Sequence, residues 1–277
     1  METMAIRVTG LYTYPIKSCA RLSHERIALD ERGPVYDRYW MVIDPSGKFQ
    51  TQRELPRLAL VQPAFADEAL TVSAPGMDDL RVPLAMPDAP PQAVVVWRDT
   101  VQAIDEGDEA AGWLSDFIGA PLRLVRMAEG YRREVDPTYA KSPAIVGFAD
   151  GYPLLLASDE SLNDLNVRLE KRGKTPLPMS RFRPNVVIQG AGAWAEDDWT
   201  RIRIGGLPLD VVKPCARCVT TTVDQATGTI PDHKEPLATL ATFRKAPRGV
   251  MFGQNVIHRK QGALCVGDSV EIIGAAL

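Results

Sequence analysis

Short β-prone runs cut by turn residues dominate the first third of the chain, and they restrict its fold more than any other feature. Residues 6–14 are rich in strand formers and stop at Pro15; Trp40-Met-Val-Ile-Asp44 stops at Pro45-Ser-Gly47. Residues 70–73, 80–82 and 94–97 follow, each bounded by Pro, Gly or Asp. Strands at this spacing build sandwiches and barrels, not parallel βαβ units. One helix interrupts them: Ala110, Leu114, Phe117 and Ile118 share a face, and Gly119 stands where a C-terminal cap belongs. A second helix starts at Ser158, a good N-cap, with Asp159 and Glu160 favourable at the positive end of the dipole. Leu162, Leu165 and Leu169 form its apolar face and Gly173 ends it.

Further strands are expected over 186–188, 202–204, 209–212 and 256–257, with an apolar run over 154–156 after a turn and a hairpin at 266–270 leading into 270–273. Residues 237–243 suit a short helix, and 195–199 an acidic turn. The polar stretch from Tyr131 to about Pro143 reads as a mobile loop, a lid or a linker. The fold class expected is mainly β with a few helices (α+β).

At 277 residues the chain holds one large domain or two small ones. A net charge of −3 gives no global field for nucleic acid or a membrane surface, and no apolar run nears spanning length. The start lacks the pattern of a signal peptide, and four unevenly spaced cysteines do not make a disulfide scaffold. These features point to a cytoplasmic protein with no nucleic-acid or membrane partner.

The chemistry concentrates in Lys213-Pro-Cys-Ala-Arg-Cys218, followed by a Thr/Val run and a turn over 224–228. This reads as two thiols in a loop at the mouth of a strand. Lys213 and Arg217 supply the positive charge that favours thiolate. Three uses compete: packing of small apolar side chains, a structural zinc site, or a redox or metal-binding thiol. No second CxxC completes a zinc site, and Cys19 and Cys265 are isolated. One cysteine acting as ligand to a soft metal or cofactor suits the segment best, although a lone CxxC leaves the alternatives open.

Two other motifs put polar groups at strand ends. Tyr14-Pro-Ile-Lys-Ser-Cys19 brings Lys17 and Ser18 side by side, with Cys19 small and half-buried, and Asp37-Arg-Tyr-Trp40 brings Arg38. Lysine, hydroxyl and guanidinium are phosphate-binding groups, or equally solvated surface residues. Thr51-Gln-Arg-Glu-Leu-Pro-Arg57 adds two arginines, at rim or site. Asp150 is either an acid or a turn former. Pro184 excludes right-handed helical geometry at Arg183 and is expected to leave it extended at a strand entrance.

In this order Tyr14–Cys19, Asp37–Trp40, Phe148-Ala-Asp-Gly-Tyr-Pro153, Arg181-Phe-Arg-Pro-Asn185, Lys213–Asp224 and Phe252-Gly-Gln-Asn255 resemble the MOSC-domain family with its N-terminal β-barrel domain. Within it, the chain is similar to the branch of the mitochondrial amidoxime-reducing component and its bacterial relatives. The resemblance implies a MOSC N-terminal β-barrel-like domain over 1–127 and a MOSC β-barrel core over 128–277. It implies a molybdenum cofactor, Mo-molybdopterin, with Cys218 as metal ligand and catalytic residue. Lys17, Ser18, Arg38 and Arg183 would hold the pterin phosphate, while Asp150, Arg217 and Asn255 would line the same pocket. The implied reaction reduces N-hydroxylated compounds (amidoximes, hydroxylamines, N-hydroxylated bases) to the N–H form. With no four-cysteine framework and no anchor in this sequence, electrons would come from a separate ferredoxin, flavodoxin or cytochrome-type protein. The alternative role is a non-catalytic molybdenum-cofactor or sulfur carrier.

Overall fold

The computed structural model describes residues 5–140 and 143–275. It is mainly β with a few helices, and its largest unit is a nine-stranded sheet. The strands lie in the order Leu22–His24, Arg7–Thr13, Val186–Gln189, Leu154–Ser158, Gly249–His258, Leu207–Arg217, Trp199–Ile204 and Val270–Ala275. The short strand Lys245–Ala246 hooks onto Gly249–His258. Leu154–Ser158 and Val186–Gln189 run parallel, which requires a crossover, and the helix Asp159–Lys171 supplies it. Ser158 caps that helix by accepting from the Ser161 N–H at 3.4 Å. Leu165 and Leu169 are buried against Phe182, Leu240 and Phe252.

The first strand, Arg7–Thr13, pairs with Val186–Gln189, so the N-terminal residues are built into the sheet of the second half. Between them, the chain forms a four-stranded sheet of Trp40–Ile43, Arg123–Met127, Asp99–Asp105 and Gln92–Val96. A three-stranded meander, Gln62–Ala66, Ala69–Ser73 and Leu80–Pro83, lies beside it. The helix Asp108–Ile118 buries Ala110, Leu114 and Phe117 in the core shared with that meander and ends at left-handed Gly119. No helix among the described residues is long and apolar enough to cross a membrane.

Three expectations about local structure are corrected. The turn at 266–270 is present, but its flanking strands do not pair with each other. Gly262–Cys265 joins Arg26–Asp30, while Val270–Ala275 joins Trp199–Ile204. The stretch from Tyr131 to Pro143 is not simply a loop: Arg133–Glu134 pairs with Ile145–Val146, and buried Arg133 donates to the carbonyls of Gly147 and Ala149. Lys141 and Ser142 lie outside the described residues. Cys19 is fully buried rather than half-buried, and burial pushes its thiol up to about 12.

Two buried acids give predictions about stability. Glu106 and Arg126 are both 1% exposed. Arg126 donates to Glu106 at 2.5 and 2.7 Å and to the carbonyls of Pro83, Leu84 and Ala85; Trp40 Nε1 donates to Glu106 at 2.5 Å. Removing one partner leaves an uncompensated buried charge. Arg126→Ala is therefore expected to lower the urea-unfolding free energy by about 3–5 kcal/mol. Glu106→Gln, which keeps the shape, should cost less.

Glu196 is also buried, in the short turn Ala195–Asp198. Burial pushes its carboxyl from 4.5 up to about 7, against the lowering effect of the Ser161 hydroxyl that donates to it at 2.8 Å. The folded state thus binds the proton more tightly than the unfolded chain. This contribution to stability is complete below about pH 4.5 and is lost as pH rises through 7. Glu196→Gln should remove a decline of about 3 kcal/mol between those pH values. Denaturant titrations at pH 4.5 and 8 check this.

Candidate functional site

The two halves meet at a cavity lined by Lys17, Ser18, Arg38, Asp150, Arg183, Arg217, Cys218 and Asn255. The eight residues that the resemblance places at the site therefore lie in one place, although the chain segments that carry them are far apart. Lys17 and Ser18 follow the first strand, and Arg38 precedes Trp40–Ile43. Asp150 lies in the turn before Leu154–Ser158. Asn255 sits on Gly249–His258, opposite Lys213 on the neighbouring strand, and donates to the Lys213 carbonyl at 3.2 Å.

Among the described residues, four of the eight non-glycine residues with positive φ line this cavity: Ser18 (69°), Arg38 (47°), Trp97 (57°) and Arg183 (54°). Such conformations are costly for residues with a Cβ and concentrate where function demands a fixed direction. Arg183 corrects one expectation. It is left-handed, not extended, because the chain must turn from the short helix Met179–Phe182 into Val186–Gln189 within a few residues. Pro184 forbids the right-handed region only, and the left-handed one makes the turn.

The cysteine segment differs from the expected loop. Leu207–Arg217 remains a strand through Cys215, with register shifts between Val211 and Lys213 and between Pro214 and Ala216. These irregularities accommodate Pro214 within the sheet. The β-prone run that follows is a 3-10 turn, Val219–Thr222, instead of a strand. Its threonines bond locally: Thr221 Oγ1 donates to the Cys218 carbonyl at 2.9 Å and Thr222 Oγ1 to the Val219 carbonyl at 2.8 Å. Threonine hydroxyls compete with the ladder in this way.

One wall of the cavity is a network of charges. Lys17 Nζ donates to Asp150 Oδ1 at 2.5 Å and to the Phe148 carbonyl at 2.8 Å. Burial lowers the Lys17 ammonium, and the adjacent Asp150 carboxylate partly restores it. Desolvation would raise Asp150, but the Lys17 charge and hydrogen bond hold it well below the usual carboxylate range. Arg38 pairs with Asp37 at 2.5 Å and donates to Asn185 at 3.1 Å. The guanidiniums of Arg38 and Arg183 each lie 4.2 Å from the Tyr14 ring centroid. Burial pushes Arg183 down to about 10, so it stays charged at neutral pH. Gln225 accepts from Arg183 at 3.1 Å, and Gln225 and Gln52 exchange hydrogen bonds at 2.8 and 3.1 Å. Gln52 also donates to the Ser18 carbonyl at 2.7 Å, so one buried amide ties Ser18, through Gln225, to Arg183.

At the other wall, Cys218 Sγ lies 3.4 Å from Thr220 Oγ1. Burial alone would raise this thiol. Hydrogen bonding from Thr220 and the Arg53 and Arg217 guanidiniums outweigh it and leave the thiol below its ordinary value. Arg217 donates to Cys215 Sγ at 2.9 Å and to the Phe182 carbonyl at 2.8 Å. All four cysteines are free. Among the described residues, no three His, Cys, Asp or Glu side chains are grouped to hold a metal ion.

The charge balance is uneven. Lys17, Arg38, Arg53, Arg183 and Arg217 line the cavity, and only Lys17 and Arg38 have a carboxylate partner among the described residues. Arg53 Nε and Arg217 Nε are buried without a hydrogen-bond partner. Buried cationic donors lacking acceptors suit an anion. The sequence leaves Arg53 undecided between rim and site and does not single out Trp97, Tyr152 or Asn185, which also line the cavity. Asn185 had a signal, as the last residue of Arg181-Phe-Arg-Pro-Asn185; Trp97, at a hairpin tip, had none.

Comparison with known proteins matches two family models, the MOSC N-terminal beta barrel domain over residues 5–121 and the MOSC domain over 143–271. Mitochondrial amidoxime-reducing component 1 of Mus musculus is 38% identical over 285 residues, covering 96% of this chain and 82% of the relative. Mitochondrial amidoxime reducing component 2 of Bos taurus is 37% identical over 281 residues, covering 95% and 82%.

Proposed function

The chain belongs to the MOSC-domain family of the mitochondrial amidoxime-reducing components, and on that premise we propose that it is a molybdenum-cofactor-dependent reductase of N-hydroxylated compounds. The observation that carries this reading is a thiol biased toward thiolate in a cavity with three guanidiniums that lack carboxylate partners among the described residues.

The residues present fit such a cofactor. A thiolate is a soft-metal ligand, and a phosphate wants guanidinium, ammonium and hydroxyl donors. Cys218 is the proposed molybdenum ligand. Cys218 would be the chain's own ligand to the metal, since the described residues offer no cluster of further donors. Lys17, Ser18, Arg38 and Arg183 are the proposed phosphate holders. When bound, the cofactor supplies the two-electron chemistry that converts N–O to N–H.

The remaining residues support that site. Thr220 orients the Cys218 sulfur. Arg217 spans Cys215 and the Phe182 carbonyl and fixes the bend of the strand. Asp150 keeps Lys17 charged, and Asn255 locks the two central strands together beside the cavity. Substrates are small amidoximes, hydroxylamines or N-hydroxylated bases, and the reductant is a separate electron-transfer protein.

The test is reduction of a simple amidoxime by molybdenum-loaded protein with a chemical reductant. Amidine formation proportional to molybdenum content supports the reductase. Loaded protein that reduces nothing but delivers molybdenum cofactor to an apo-enzyme is a carrier instead.

A further inference from the structure

Arg53 is the one cation of the cavity whose side chain makes no hydrogen bond or ion pair among the described residues, and it has no part in the proposed phosphate contacts; its charge favours the Cys218 thiolate. It is half-buried, has no carboxylate partner, and its Nε finds no acceptor among the described residues. Its guanidinium carbon lies 4.4 Å from the Trp97 ring centroid. Trp97 is 38% exposed at the tip between the strands Gln92–Val96 and Asp99–Asp105, so this stack marks the open edge of the cavity. Asn185, which also lines the cavity, is by contrast buried.

The position of Arg53 is fixed before any ligand arrives. Thr51 Oγ1 accepts from the Arg53 N–H at 3.1 Å and donates to Glu54 at 2.6 Å, and the Leu55 N–H donates to the Thr51 carbonyl at 2.9 Å. The next side chain, Gln52, is fully buried and holds the turn to Ser18 and Gln225. The indole holds the guanidinium plane, and Trp97 Nε1 is itself held by Asp150 at 3.0 Å. A preorganised fork with unused donors recognises a carboxylate or phosphate oxygen, and the exposed indole beside it accepts a flat ring.

We propose that Arg53 and Trp97 form a substrate-specificity site that selects N-hydroxylated compounds carrying an anionic substituent on a planar, conjugated body. This rests on the proposed reductase function and names its substrate class. Arg53 holds the anionic group at the rim, and Trp97 stacks on the conjugated part.

The experiment is calorimetric binding of two probes, benzamidoxime and 4-carboxybenzamidoxime, to molybdenum-loaded protein, with turnover of both measured on the same sample. The carboxylated probe is expected to bind about tenfold tighter to the parent. In Arg53→Gln the ratio should fall to about twofold or less, with Arg53→Lys in between because a point charge replaces the fork. Equal binding of the two probes by the parent overturns the proposal. So does a preference that survives Arg53→Gln, or loss of molybdenum from that variant, which would make Arg53 a cofactor residue. Preferential binding with no turnover of either probe sinks the reductase reading while the anion site stands. Turnover of both without preference does the reverse.

Discussion

Cys218→Ala is expected to purify with molybdenum near background and with N-reductive activity down by at least about a hundredfold. The reason lies in the donor count. Among the described residues no other group of metal-binding side chains is available, so the Cys218 sulfur is the only proposed bond from chain to metal. Alanine removes the thiolate that the charges of Arg53 and Arg217 favour. Loss of one first ligand with no substitute removes most of the affinity for a soft metal. Cys215→Ala is the internal control. Its sulfur accepts from Arg217 at 2.9 Å and lines the cavity, so its loss loosens Arg217 but leaves the proposed ligand in place. That variant should keep at least part of its molybdenum. Inductively coupled plasma mass spectrometry on the two variants and the parent decides it. Equal molybdenum in Cys218→Ala and the parent rules out the ligand assignment.

Arg183→Ala is expected to weaken cofactor retention by about ten- to a hundredfold, the range of one or two charge-assisted hydrogen bonds. The fold should survive. Arg183 is half-buried and stacks on Tyr14, but its one side-chain hydrogen bond within the protein is to Gln225, which also bonds Gln52. Alanine keeps a Cβ at this left-handed position and relieves no backbone strain; Arg183→Lys is the cleaner partner variant, since it keeps the charge and loses the fork. Cofactor loss on repeated gel filtration, followed by pterin fluorescence after oxidation, measures retention. Normal cofactor content with lost turnover would move Arg183 from the cofactor to the substrate.

Local signals in the sequence located most elements. Turn residues around 44–47, the cap at Ser158 and the left-handed glycines at 119 and 173 act within a few residues, so their effects are visible without a partner. Pairing was not visible. Arg7–Thr13 joins Val186–Gln189 across most of the chain, and the strands flanking the 266–270 turn choose separate sheets, because long-range burial and not the turn decides the partner. The 219–222 run shows the limit of propensity: threonine favours strands, yet its hydroxyls bond back to the local carbonyls here.

The site was legible as pieces. Lysine, serine and arginine at strand ends carried phosphate chemistry, and the cysteines carried metal chemistry, but each had an ordinary surface or core alternative. Their convergence depends on pairings such as Lys213 with Asn255, which no local pattern encodes. Six ordered motifs resembling one family supplied the assembly that the residues alone did not. Arg53 and Trp97 remained hidden because a lone arginine in a turn and a tryptophan at a hairpin tip are common on any surface; their meaning comes from the 4.4 Å stack and the missing acceptors.

The central claim is that this cavity holds a molybdenum cofactor through Cys218. Elemental analysis for molybdenum and zinc, on protein expressed in a host that makes the pterin, tests it most directly. The account predicts near-stoichiometric molybdenum and negligible zinc. Zinc alone, or no molybdenum in protein that is folded and purified intact, contradicts it.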